Sequence, residues 1–238
     1  MLKDSYRISI VRNIILRKTL HIGMCLFLLL PYLINLNEYN KLLYYSILLI
    51  VAAEINSLIL KKPLLSVKLK ENFEKNRKRI LLTLYKSTAI KELIDLETKL
   101  SKLESLIQEQ IRQIEREYER KGGYIGIVYG LLGVTLSQLF FNNEAYYGIL
   151  ALTIIDPLTA LMGAVYGRIK IPYTNGSLEG SLTAFIVFYL TLVLLGFRPE
   201  RATLVSLISC LAELFSSEDN LALPLVTSAS IYLINHFL

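Results

Sequence analysis

The 238-residue sequence has only two cysteines, Cys25 and Cys210. Both fall in apolar runs, at a spacing that neither a metal site nor a redox pair uses. A cysteine-held metal centre and a disulfide scaffold are therefore excluded, and both residues read as small buried hydrophobes. Charge is scarce as well: 19% of residues are charged against 53% hydrophobic, with a mean hydropathy of +0.47. That is too little charge to hydrate the surface of an ordinary soluble domain. A cleavage signal is also missing. The N-terminus has a basic region followed by an apolar one, as a signal peptide would, but no small-residue cleavage site. The apolar part runs on into further spans, so this segment is expected to stay attached.

What is present is a series of apolar windows about 20 residues long, the length needed to cross a bilayer. They read as seven spans, at about 20–36, 41–60, 123–141, 145–167, 178–196, 200–217 and 221–238, the first, sixth and seventh being short. Pro31 interrupts the first. The fold class is thus an all-α, polytopic membrane helix bundle. It divides into 1–60 (a basic segment and two spans), an insertion at 61–122, and 123–238 (spans three to seven).

The net charge of +6 is unevenly spread: residues 61–122 carry 16 of the 26 Lys+Arg and 10 of the 20 Asp+Glu. Placing the N-terminus in the cytoplasm puts 1–19, 61–122, 168–177 and 217–220 inside, with nearly all the loop cations. The outside turns hold only Lys41, Arg198 and Arg201. Such basic flanks suit anionic membrane lipids or a phosphorylated substrate, and nucleic acid is not expected as a partner. Within the insertion, Leu93, Leu96, Leu100, Leu103, Ile107 and Ile114, with Gln110 filling the one polar slot, recur at alternating three and four, a cytoplasmic coiled-coil seam about three heptads long. Its partner is either the Ile80–Leu84 region folding back or a second copy of the chain, a homo-oligomer. An amphipathic helix lying on the membrane is the alternative. In the third span, Gly123, Gly126, Gly130 and Gly133 line one side and permit close helix packing.

Chemistry concentrates in one stretch: Asp156-Pro157-Leu158-Thr159-Ala160, then Gly163, Gly167-Arg168-Ile169-Lys170 and Gly176-Ser177-Leu178-Glu179-Gly180. A carboxylate in hydrocarbon costs at least ~2.5–3.5 kcal/mol, so Asp156 must face protein, water or a cation. The glycines admit a close backbone or ligand, and the basic, amide-rich loop suits phosphate oxygens. Two readings fit these residues: a metal-bound phosphate, or a packed helix with one hydrogen-bonded Asp followed by an ordinary loop. Four further features share the expected cytoplasmic side with Asp156. Arg17, Lys18 and His21 lie within about one helical turn and can converge on one anion. Glu54 sits near the inner end of span two. The loop is the third, and Glu213, followed by Asp219-Asn220 and Pro224, is the fourth. Carboxylates, an Asn, cations and Gly-rich backbone are the parts that a magnesium–nucleotide phosphoryl-transfer site requires.

Taken in order, Arg-Lys-x-x-His, Asp-x-x-x-x-x-x-Gly-x-x-x-Gly, Ser-x-Glu-Gly, and Glu followed by Asp-Asn-x-x-x-Pro resemble the CTP-dependent polyprenol kinases. That family comprises dolichol kinase, with phytol kinase and the CTP-type diacylglycerol kinase as relatives. The resemblance covers the spans and omits 61–122. It implies CTP as phosphoryl donor, Mg2+ as the divalent metal and an isoprenoid or other lipid alcohol as acceptor. By the same resemblance, Asp156, His21 and Glu179 take catalytic roles, and Asp156 with Asp219 holds the metal. The positions for the nucleotide are Arg17, Lys18, Gly163, Gly167, Ser177, Gly180, Glu213 and Asn220, to which the loop adds Arg168 and Lys170. His21 and Asp156 are the candidates to take the acceptor's hydroxyl proton. One position departs from the pattern: Gly176 stands where the family has Lys, so Lys170 or Arg168 is expected to supply that contact. Two other readings are a phosphatidate cytidylyltransferase-like enzyme and a non-catalytic membrane assembly protein working through the coiled coil.

Overall fold

The computed structural model describes residues 2–61, 102, 125–172, 174 and 176–237, with side chains described except at 2–10 and 59–61. Among the described residues seven α-helices follow one another: α1 (Leu2–Leu33), α2 (Glu38–Lys61), α3 (Ile125–Phe141), α4 (Ala145–Tyr166), α5 (Leu178–Leu194), α6 (Pro199–Phe215) and α7 (Asp219–Phe237). A single 3-10 turn, Asn142–Glu144, joins α3 to α4. Among the described residues there is no strand, only an isolated bridge between Lys170 and Ser177. Among the described residues three stretches are long and apolar enough to cross a membrane: Val11–Leu33, Glu38–Leu58 and Ile125–Tyr166, the last containing both α3 and α4. The chain forms two compact units, Met1–Ala53 with Tyr124–Leu238, and Glu54–Gly123. The seam from Leu93 to Ile114 lies outside the described residues. Glu54, on α2 in the second unit, is exposed.

Within the first unit, α4 is the hub. It packs against α1, α5 and α7, and less extensively against α3 and α6. Its inward positions Ala151, Leu152 and Ile155 join Phe188 of α5, Val205 of α6 and Ile231 of α7 in one buried cluster. The apolar side chains that stay exposed, such as Leu43, Ile47 and Ile50 on α2, are what a lipid-facing surface requires.

Local chemistry sets the helix ends. Asn37 Oδ1 accepts the Asn40 amide at 2.9 Å and so caps α2. Pro199 opens α6 at a position where its missing N–H is not needed. After α5, Gly196 has φ +93°, and the bonds Phe197 N→Leu192 O (3.1 Å) and Gly196 N→Val193 O (3.0 Å) close a Schellman turn. Pro31, expected to interrupt the first span, sits inside the last turn of α1. Proline at 31 deprives the Phe27 carbonyl of its helical donor. The Tyr44 hydroxyl of α2 supplies a substitute at 3.1 Å, and the helix continues.

At the end of the unit that holds this turn, five polar side chains satisfy one another. Lys41 Nζ donates to Glu38 Oε1 (3.1 Å) and Asn143 Oδ1 (2.7 Å), Gln138 Nε2 donates to Glu38 Oε2 (2.6 Å), and Tyr32 OH donates to Gln138 Oε1 (2.7 Å). Lys41 also lies 4.4 Å from the Tyr32 ring centroid. This network ties the α1–α2 turn to the α3–α4 turn.

Three helices separate Asn142 from Ser217, so the two residues lie at opposite ends of the unit. If α4, α5 and α6 each cross the bilayer, single cysteines at these positions label with an impermeant reagent from opposite sides. Labelling of both from one side would contradict the crossing.

Candidate functional site

At the other end of the unit the polar residues gather on the C-terminal half of α4. Lys18 and His21 are three residues apart and so share one face of α1. Asp156 meets both: its Oδ1 accepts Lys18 Nζ at 2.5 Å, and its Oδ2 lies 3.2 Å from His21 Nε2. Lys18 and Asp156 are 4% and 3% exposed. His21 Nε2 also lies 3.3 Å from the Leu152 carbonyl and 3.5 Å from Cys25 Sγ. The carboxylate is followed by Pro157, which has no N–H to donate to the carbonyl of Thr153.

One turn further along α4, the Thr159 hydroxyl donates to Glu213 Oε1 of α6 at 2.8 Å, with the Ile155 and Asp156 carbonyls also within 2.8 and 3.1 Å. The second oxygen, Glu213 Oε2, is buried with no hydrogen-bond partner among the described residues. Asp156, Asp219 and Lys18 all lie within electrostatic range of this carboxylate. Asp219 Oδ1 accepts the Asn220 amide at 2.8 Å in the first turn of α7.

The glycines lie along helix seams. A Cβ on Gly180 would meet the Thr159 carbonyl at 2.6 Å, and one on Gly163 would meet Ser177 Oγ at 3.1 Å. At Gly167 it would lie 2.2 Å from the Gly163 carbonyl. Gly180 thus lets the backbones of α4 and α5 meet, while Gly163 and Gly167 make room for the Ser177 side chain. A Cβ on Gly176 would reach 2.6 Å from Leu214 Cδ1. On the far side, Gly126 and Gly133 of α3 lie against Asn220 and Leu221 of α7, with virtual contacts of 3.1 and 2.8 Å.

Ser177 and Glu179 organise the 167–177 loop. Ser177 Oγ accepts the Gly180 amide at 3.2 Å and caps α5. Glu179 accepts the Arg168 amide at 3.0 Å and the Ile169 amide at 3.1 Å. Leu178 N→Ile169 O (3.0 Å) and Ile171 N→Gly176 O (3.3 Å) close the loop, and Arg168 and Lys170 are left exposed.

The structure therefore brings Lys18, His21, Asp156 and, through Thr159, Glu213 into one buried cluster. Arg17 is half-buried beside Lys18. Ser177, Glu179, Gly163, Gly167 and Gly180 form the adjoining loop base, while Asn220 sits against α3. Sequence reasoning gave Thr159 and Cys25 no role in the site. Thr159 is three residues from Asp156, so it shares that face of α4. Cys25 is four residues from His21 on α1 and was read as a hydrophobe.

With that geometry described, one comparison is informative. The chain is similar in part to dolichol kinase of Saccharomyces cerevisiae (strain ATCC 204508 / S288c), with 39% identity over 98 residues. The matched stretch is 40% of this chain and 18% of that protein, so the chain covers less than a fifth of its relative's length. No family model and no solved structure matches the chain.

Glu179 and Ser177 generate a direct test of the loop. Ser177→Ala removes the cap and is expected to lower stability by about 1 kcal/mol in denaturant unfolding. Glu179→Gln weakens the hold on two amides. Limited trypsin digestion should then cut faster after Arg168 and Lys170, with α5 otherwise intact; unchanged cutting would contradict the clamp.

Proposed function

We propose that the protein is a membrane lipid kinase that transfers the γ-phosphoryl group of CTP to a polyprenol- or dolichol-type alcohol, giving the lipid monophosphate. The observation that carries this reading is the convergence of Lys18 and His21 on Asp156, with Glu213 joined through Thr159. Cations and carboxylates of this kind, buried together, serve phosphoryl transfer, where catalysis is mostly positioning and charge stabilisation. The partial similarity to dolichol kinase supports the same class. The proposed topology is seven spans, with the N-terminus and the site cytoplasmic.

Each residue has a role in this reading. Lys18 and Arg17 balance phosphate charge from α1, while Arg168 and Lys170 do so from the loop that Glu179 holds. His21 is oriented by Asp156 and the Leu152 carbonyl. With its Nε2–H donated, Nδ1 is an acceptor for the alcohol proton. The exposed apolar faces accommodate the lipid tail.

Magnesium was expected at Asp156 and Asp219, and the donors can be compared. Magnesium takes one or two carboxylates together with substrate phosphates. Glu213 offers a buried carboxylate oxygen without a hydrogen-bond partner, and Asp219 lies within its electrostatic range. The fit is therefore proposed at Glu213 and Asp219. Bound there, Mg2+ would supply charge neutralisation at the phosphates.

Incubating the purified full chain with γ-labelled CTP, Mg2+ and a panel of polyprenols, dolichols and diacylglycerol tests the proposal. Label is expected in an isoprenoid monophosphate. Labelled diacylglycerol alone would move the reading to a diacylglycerol kinase. A CDP-lipid with labelled pyrophosphate would indicate a cytidylyltransferase. Absence of any thermal shift with CTP and Mg2+ would favour the non-catalytic assembly protein.

A further inference from the structure

Asp156 lies where α1 packs against α4, and both of its oxygens face side chains of α1. Oδ1 meets the Lys18 ammonium at 2.5 Å and Oδ2 meets His21 Nε2 at 3.2 Å, with side-chain exposures of 4% for Asp156, 5% for Lys18 and 14% for His21. A divalent cation on Oδ1 would share that oxygen with an ammonium group, and the two positive charges would repel strongly at that range. Among the described residues no group of three or more His, Cys, Asp or Glu is arranged to hold a metal ion. Glu213 Oε2 presents the contrasting environment, a buried carboxylate oxygen to which none of the described residues donates.

We propose that Asp156 is a positioning residue and not a metal ligand: it is the counter-ion that holds Lys18 as a preformed site for a phosphate-type anion and orients the His21 ring beside it. A buried ammonium keeps its charge only beside a partner. Asp156 supplies that partner and takes up one of the three ammonium donors, so the other two serve anion oxygens. The same carboxylate fixes the His21 ring through Nε2. The Lys18–His21 spacing of three suits this arrangement, because one carboxylate across the helix interface reaches both. The purpose of the pair rests on the phosphoryl-transfer reading; the pair itself does not.

The test uses the full chain in detergent as wild type, Asp156→Asn, Lys18→Met and the double variant. Two quantities are read: Tm, and affinity for inorganic pyrophosphate in EDTA and for CTP across a magnesium titration. Each single variant leaves a buried group without its partner, so each lowers Tm on the order of 10 °C, and the double variant recovers most of that loss. Pyrophosphate binding in EDTA weakens about tenfold or more in each single variant, with no further loss in the double. The magnesium concentration for half-maximal CTP binding in Asp156→Asn stays at the wild-type value. Should Asp156→Asn fail to fold while the double variant folds, the coupling is shown in its strongest form. Asp156→Glu, which keeps the charge but displaces it, then supplies the binding comparison and is expected to weaken pyrophosphate.

Additive Tm losses in the double variant would overturn the proposal. So would a raised magnesium requirement in Asp156→Asn with pyrophosphate binding intact, which is the signature of a metal ligand. Wild-type protein that binds pyrophosphate but not CTP would leave the counter-ion role standing and sink the CTP-kinase reading. Wild-type protein that binds neither would sink the anion site.

Discussion

The described architecture depends on one electrostatic constraint, the need to neutralise a carboxylate in the middle of an apolar helix. Asp156 is placed where water cannot stabilise it, and α1 meets that need by presenting Lys18 and His21 together. Breaking a buried pair by removing one partner costs about 3–5 kcal/mol, whereas replacing both members by apolar groups is often neutral. The pair is therefore weak as a general source of stability but strong as a specification: it fixes which face of α1 meets α4 and at what height. Once that register is set, Thr159 one turn on carries the polar line to Glu213 of α6.

Close backbone approach follows from the same geometry. Gly180 leaves no room for a Cβ where α5 meets the backbone of α4, and Gly133 does the same where α3 meets α7. In hydrocarbon, helices gain little from hydrophobic burial against one another, so association leans on such small-residue packing and on interhelical hydrogen bonds. The opposite end of the unit uses hydrogen bonds instead, among Tyr32, Glu38, Lys41, Gln138 and Asn143. One end is a closed network with its donors and acceptors paired. The other keeps a buried carboxylate oxygen, Glu213 Oε2, without a partner.

Much of this was legible in the sequence because hydropathy and helix ends are local signals. Each of the seven apolar windows overlaps a helix among the described residues. Pairings were harder to read, because they depend on contacts far apart in the chain. Asp156 carried the signal of a buried carboxylate, but the residues left a metal-bound phosphate and a hydrogen bond within a packed helix equally open, since nothing local says that Lys18, 138 positions away, faces it. Pro31 looked like an interruption because the rescue of the Phe27 carbonyl comes from Tyr44 on the next helix. The glycines and Ser177 were read as ligand contacts; each has a packing or capping explanation in the structure, which spacing cannot distinguish from cradling a phosphate. Lys41, read as an outside-turn cation, is buried by partners drawn from three different elements.

The central claim is that one end of this unit, gathered around Asp156, receives the phosphates of a nucleotide. Hydrogen exchange of the full chain with and without CTP and Mg2+ tests that claim most directly. The account predicts slower exchange in the loop at 168–180, in the α6–α7 turn at 216–221 and in the α1 segment around Lys18 and His21. Exchange in the two opposite turns, at 34–37 and 142–144, should be unchanged. Protection confined to those opposite turns, or no protection anywhere at saturating CTP, would contradict it.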